Sequence, residues 1–220
     1  NDTATTEIYT GCRSSAASDV YKRQQYTMLE DRTKMNLEEL RIIVTDTETT
    51  GLVKPIPTDI RFQPFLTEVY ACKMNGKFEF IDELETFVRP PIPIPAEITK
   101  ITGIDDEMLT GAPPFSQIYD NLYDFFRGVD IVVGQNIGYD INVLHYELMR
   151  HDLDKKFCWP KRHICTIEAS YHYKNKRMKL QDLHDFLFGE GFQDAHRAKS
   201  DVMATVRCFI ELVKRGDIVL

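Results

Sequence analysis

Asp46, Glu48, Asp140, His196 and Asp201 are the residues whose types and neighbours suit chemistry. Asp46-Thr-Glu48 follows Ile42-Ile-Val44, a short apolar run of the kind that forms a buried strand. Side chains alternate along a strand, so Asp46 and Glu48 share one face and Thr47 takes the other. Ligands of open α/β sheets bind in the crevice beyond the carboxyl ends of the strands. Two carboxylates there repel each other unless a cation holds them, and hard divalent cations such as Mg²⁺ take oxygen ligands. Thr49-Thr50-Gly51 then turns the chain, bringing hydroxyls and N–H groups to the same place. Read alone, Asp-x-Glu is equally the pattern of surface acids at a strand end.

Asp140 follows a second apolar run, Ile131-Val-Val133, through Gly134-Gln-Asn-Ile-Gly-Tyr139, and opens a helix. An aspartate there also suits an N-cap, yet the end of a second buried strand belongs in the same crevice. Asp201 stands one residue before the apolar face of the last helix begins at Val202. His196 precedes it by five residues, about 140° round a regular helix, so His196 is expected on the preceding loop or first turn. An imidazole with a free pKa of about 6.5 can act there as a general base.

The elements that must position these groups are legible in outline. Phe65–Met74 and Lys77–Val88 read as strands joined at Asn75-Gly76, a strong hairpin signal. With Ile42–Val44 they give three antiparallel neighbours. Pro90–Pro95 is an irregular connection. Phe115, Ile118, Tyr119, Leu122, Phe125 and Phe126 form one face of a helix that Gly128 can end. Ile141–Leu148, Leu180–Leu187 and Val202–Val213 carry three more helical faces. This is an α/β layer fold with a mixed sheet.

Three segments, Asp46-Thr-Glu-Thr-Thr-Gly51, Gln135-Asn-Ile-Gly-Tyr-Asp140 and Ala195-His-Arg-Ala-Lys-Ser-Asp201, resemble in order and spacing the three motifs of the DEDDh 3′→5′ exonucleases. Pro95–Ile104 and Ala112-Pro-Pro-Phe115 also look like segments of the proofreading (epsilon) subunits of bacterial DNA polymerase III. The resemblance implies a ribonuclease H-like fold, a mixed five-stranded sheet flanked by helices. It further implies that Asp46, Glu48, Asp140 and Asp201 hold two Mg²⁺ or Mn²⁺ ions about 4 Å apart. His196 would help take the proton of the attacking water, and Thr49, Gly51 and Asn136 would touch substrate. Nucleoside 5′-monophosphates would leave a single-stranded or frayed DNA 3′ end, with a polymerase subunit as partner. RNA 3′-end trimming is the alternative within the enzyme class, and an inactive nucleic-acid-binding or polymerase-docking module the alternative outside it. Gln135 and Thr102 stand where relatives often carry His.

Composition sets the remaining bounds. A chain of 220 residues that is 43% hydrophobic can bury a core, and no run approaches the ~18 apolar residues of a membrane span. A net charge of −7 is unlike a protein that grips long duplexes by neutralising phosphates. Arg197, Lys199 and the cluster Lys174, Lys176, Arg177 and Lys179 can track a single strand locally, with Tyr171 and Tyr173 as stacking surfaces. Five scattered cysteines without Cys-x-x-Cys, and no secretory leader, point to a reducing cytoplasm. His163, Cys165 and His184 lack a second matched pair for zinc and read as packing residues, as does Trp159. Residues 1–33 are rich in Ser, Thr, Ala and Asp and are expected to be a disordered extension or a translated sequencing adapter; 34–220 is expected to be the exonuclease domain.

Overall fold

The computed structural model describes residues 36–192 and 197–220, so the expectations for residues 1–33 and for His196 lie outside the described residues. The chain divides between Glu39 and Leu40, and the unit described below is Leu40–Leu220.

Apolar Ile42–Val44 lies at the heart of strand β1 (Arg41–Thr49), with all three side chains fully buried. β1 runs antiparallel to β2 (Leu66–Asn75), which turns at Asn75-Gly76 into antiparallel β3 (Phe80–Phe87). On its other side β1 runs parallel to β4 (Ile131–Gly134), and β4 to β5 (Arg162–Cys165). The five-stranded sheet therefore has the order β3-β2-β1-β4-β5. Helix α1 (Ala96–Thr102) follows the proline connection, and α2 (Phe115–Phe126) carries the apolar stripe read from the sequence. Helix α3 (Gly138–Arg150) follows β4; α4 (Thr166–Lys174) continues directly from β5; α5 (Leu180–Phe188) and α6 (Ala198–Lys214) complete the chain.

Strand alternation divides the core in two. Ile42 and Val44 face α5 and α6, packing with Leu183, Val202, Cys208, Phe209 and Leu212. Ile43 faces the other way, with Val69, Ala71 and Val132, onto Phe115, Leu122, Phe126, Val143 and Leu148 of α2 and α3. Continuing the first alternation along β1 places Asp46 and Glu48 on the α6 side and Thr47 on the α3 side.

Three of these elements, β5, α4 and α1, went unread in the sequence. β5 is four residues long with Arg162 and His163 in it, and runs into α4 without a turn residue between them. α1 has only seven residues, too few to display a helical period. Tyr173 also departs from expectation: its ring packs against Phe186 and its hydroxyl donates to Asp217, which makes it a packing residue rather than a stacking surface. Tyr171 remains exposed.

A buried charge ties α3 to the chain entering β2. Arg150 donates through Nη2 to the carbonyls of Ile60, Gln63 and Pro64, lies 3.9 Å over the Phe65 ring, and pairs with Glu147 at 3.0 Å. Glu147 in turn accepts the Leu66 N–H at 2.9 Å. Arg150→Met leaves Glu147 buried without its cation, and breaking such a pair costs about 3–5 kcal/mol. Urea unfolding is expected to show that loss; a change below about 1 kcal/mol, the value of an exposed pair, contradicts it.

Candidate active site

β4 stops pairing with β1 at Val44↔Val133, while β1 runs on for five more residues beside β2. Beyond that fork the edge of β1 that faced β4 is open. Gly134 makes the fork possible, since a Cβ there would sit 3.1 Å from the Thr45 carbonyl oxygen and 2.9 Å from Ile137 Cδ1. The chain then enters α3, whose first turn carries Asp140. Asp140 Oδ1 accepts the freed Thr47 N–H at 3.0 Å and the Thr47 hydroxyl at 2.8 Å. Thus β1 grips Asp140 with the one residue that points away from Asp46 and Glu48.

The third element is α6. Its first turn crosses the same face of the sheet as Asp46 and Glu48 and presents Asp201. Asp46, Glu48 and Asp201 each offer a carboxylate oxygen, and the three lie within 4.8 Å of one another. Asp140 is not one of this group of three; its bonds to Thr47 hold it close enough for its charge to act on Asp46 and Glu48.

Burial opposes the ionisation of Asp46, Glu48 and Asp140, and neighbouring acids add to it for the first two. Burial, then the neighbouring charges of Asp140, Glu48, Asp201 and Glu68, holds the Asp46 carboxyl well above the usual carboxylate range. Burial, followed by Asp201, Glu68 and Asp140, pushes Glu48 up to about 8, with Arg197 opposing. Burial lifts Asp140 to about 7 against the two bonds from Thr47. Such a cluster of oxygen donors fits hard divalent cations, which take carboxylate ligands and would favour the ionised form of the acids.

These shifts fix a sign for the metal-free protein. The folded state keeps protons on Glu48 and Asp140 up to about pH 8 and 7, whereas unfolded carboxyls release them near pH 4. Between those limits the native state binds more protons, so stability falls as pH rises. In EDTA the thermal midpoint is expected to fall from pH 5 to pH 8. Mn²⁺ is expected to raise it more at pH 8 than at pH 5, and equal increments at the two values would contradict the shared site.

Of the residues expected at substrate, Thr49 is buried, while Gly51 follows β1 and Asn136 follows β4. The Thr49 hydroxyl lies 2.6 Å from the Gly51 carbonyl oxygen and 2.7 Å from the Tyr139 hydroxyl, which itself donates to that carbonyl. Thr49 and Gly51 thus shape the loop after β1. Asn136 is exposed, has a positive φ of 68°, and accepts a 2.7 Å bond from Arg177 Nη2. That bond brings the basic segment between α4 and α5 to the loop that carries Asp140. The two unusual residues serve internal contacts. Gln135 donates to the Met178 carbonyl at 2.9 Å and accepts from the Thr166 hydroxyl, while Thr102 bridges the Ile98 carbonyl and the Ile104 N–H. Sequence reasoning missed Glu68 at the site, and read Arg197 as a phosphate contact where the structure pairs it with Glu68. The signal for Glu68 was a lone acid inside an otherwise apolar strand, where a buried charge demands a partner.

Comparison with known proteins decides the family: residues 43–209 match the profile of the RNase T-type exonuclease domain. The chain belongs to that exonuclease family. The chain is 32% identical over 179 residues to a PolC-type DNA polymerase III of Caldanaerobacter subterraneus, covering 80% of this chain and 12% of that protein. It is 30% identical over 181 residues to the PolC-type DNA polymerase III of Streptococcus pneumoniae, covering 82% and 12%. The chain therefore spans about an eighth of the length of these relatives. Among solved structures, the nuclease domain of 3′hExo, a DEDDh family member bound to rAMP, superposes with a TM-score of 0.66 at 19% identity, covering 80% of this chain and 92% of that one. E. coli ExoI in complex with single-stranded DNA gives 0.64 at 19%, covering 80% and 41%. These likenesses show the fold alone: the chain shares with these nucleases a mixed five-stranded sheet flanked by helices.

Proposed function

We propose that residues 34–220 form a 3′→5′ exonuclease domain that removes single nucleotides from DNA 3′ ends in the service of a DNA polymerase. The observation that carries this reading is the meeting of Asp46, Glu48 and Asp201 within 4.8 Å, joined by Asp140 through Thr47, in a family of exonucleases. The PolC-type relatives support the polymerase setting.

Asp46, Glu48, Asp140 and Asp201 would hold two divalent ions, Mg²⁺ or Mn²⁺. When bound, such ions activate water and stabilise the leaving 3′ oxygen. The chain's own residues do the rest. Thr47 fixes one Asp140 oxygen and leaves the other to serve as the ligand. The four acids balance the ions, leaving a near-neutral site that accepts one phosphate group. His196, one residue before Arg197, would receive the proton of the attacking water. Thr49, Gly51 and Asn136 shape the rim over which the terminal nucleotide lies. Arg177, held on Asn136, and its neighbours Lys176 and Lys179 follow the upstream phosphates. This local grip suits a protein of net charge −7.

Among the described residues no helix is long and apolar enough to cross a membrane, and Cys72, Cys158, Cys165 and Cys208 are free thiols. Work in the reducing cytoplasm belongs to the same proposal. The test is a digest of 3′-mismatched DNA, 3′-matched DNA and RNA of one sequence, run side by side with Mg²⁺. Faster loss of the mismatched DNA end is expected. Preference for RNA would assign the domain to RNA trimming, and metal-independent retention without cleavage would make it a binding module.

A further inference from the structure

Glu68 faces Glu48 across β1 and β2 in direct register, so both side chains point to the α6 face. Only 2% of Glu68 is exposed. A buried carboxylate this close to four others ought to be one more metal ligand or a liability. It is neither, because its oxygens are already engaged. Glu68 Oε1 accepts from Arg197 Nη2 at 2.9 Å, and Oε2 accepts from Arg197 Nε at 3.3 Å and from the Ala198 N–H at 3.2 Å. The pairing is bidentate, the geometry in which a guanidinium binds a carboxylate most specifically.

The position of these donors gives the contact its meaning. Arg197 is the N-cap residue of α6 and Ala198 its first residue, and no side chain of α6 itself caps that terminus. Glu68 supplies the missing acceptor from across the sheet. The Arg197 carbonyl accepts the Asp201 N–H at 3.0 Å, so the turn that Glu68 pins is the turn that carries Asp201. A second tether lies one residue on, where Lys199 pairs with Glu85 at 2.6 Å and Glu83 at 3.6 Å. Those carboxylates are exposed, and such pairs hold weakly. The buried contact is the one that sets the helix start.

Arg197 also needs restraint. Glu48 stands directly opposite Glu68 on the same face of the sheet, so a guanidinium released from Glu68 has beside it a carboxylate proposed above as a metal ligand.

We infer that Glu68 is a positioning residue of the exonuclease site: by engaging Arg197 and the Ala198 N–H with both oxygens it fixes the helix turn that presents Asp201 and keeps the guanidinium off Glu48. The inference rests on the exonuclease reading above. It goes beyond the four-acid site in giving a fifth acid a role that is not metal binding.

The test compares the native chain with Glu68→Gln and with the double variant Glu68→Gln/Arg197→Met, on a single-stranded DNA oligonucleotide with Mn²⁺ as the ion. Glu68→Gln is expected to lower kcat at saturating Mn²⁺ by at least tenfold and to raise the half-saturating Mn²⁺ concentration about fivefold, with KM for DNA within threefold. The double variant is expected to return the Mn²⁺ half-saturation to within twofold of native, since the loose cation is gone, while kcat stays low, since the helix start is still unpinned. Circular dichroism melts give the folded fraction of each protein. A Glu68→Gln kcat within twofold of native overturns the inference. So does a double variant with Mn²⁺ affinity no better than the single one, or a loss wholly explained by unfolded protein. An inactive native chain would instead strike at the exonuclease reading itself.

Discussion

Asp46→Asn is expected to lose at least ~10³-fold of the rate of mononucleotide release, because metal ions supply several kcal/mol of transition-state stabilisation and each 1.36 kcal/mol is tenfold. The same substitution is expected to stabilise the metal-free fold. Asp46 is the acid whose ionisation is opposed by burial and by every other carboxylate of the site. An amide of the same shape carries no charge for burial and the neighbouring carboxylates to oppose. In EDTA at pH 8 the variant should therefore melt above the native chain, by about 2–4 °C for each kcal/mol gained. Added Mn²⁺ should reverse the order, because only the native cluster retains its full ligand set. A variant that is inactive and also less stable in EDTA would mean that Asp46 supports the fold through a favourable contact, in conflict with its position.

His196→Ala is expected to cost 10²–10⁴-fold in kcat, the usual contribution of a general base. The sign of the pH dependence separates this from a binding role. Neutral imidazole takes the proton, so native kcat should fall about tenfold per pH unit on the acid side of its pH profile. At higher pH kcat should level off. Without the imidazole the plateau should disappear and the residual rate should keep rising with hydroxide concentration. Mn²⁺ half-saturation should stay within about threefold of native, since none of the four carboxylates is touched. A variant that keeps the native plateau at lower height, or that differs only in KM, would remove His196 from proton transfer.

The alternation of one strand made much of the site legible beforehand. Ile42, Val44, Asp46 and Glu48 share a face because they share parity, and the same parity put Thr47 on the side from which Asp140 arrives. What parity does not reveal is the grip of Thr47 on Asp140. That grip needs β4 to stop at Gly134 while β1 continues, and the length of one strand relative to its neighbour is not written in either strand alone. Asp201 was readable from the onset of the apolar face at Val202. The start of its helix was not, since Arg197 is a poor cap by type and becomes one only because Glu68 waits across the sheet. β5 and α4 escaped notice for the opposite reason. They are short and joined without punctuation, and their burial is imposed by the sheet and by α6 rather than by a pattern of their own. Gln135 and Thr102 illustrate a third case. They differ from the residues common in relatives, and the structure gives their polar atoms partners within the fold.

The most direct test of the shared four-acid site is a digest of a 5′-labelled single-stranded DNA with Mn²⁺, comparing the native chain and Asp46→Asn prepared in parallel. The native chain is predicted to shorten the strand stepwise from its 3′ end, to release nucleoside 5′-monophosphates, and to stop on addition of EDTA, while Asp46→Asn leaves the strand intact. Cleavage that persists in Asp46→Asn or in EDTA, or that yields internal fragments in place of a 3′ ladder, would contradict it.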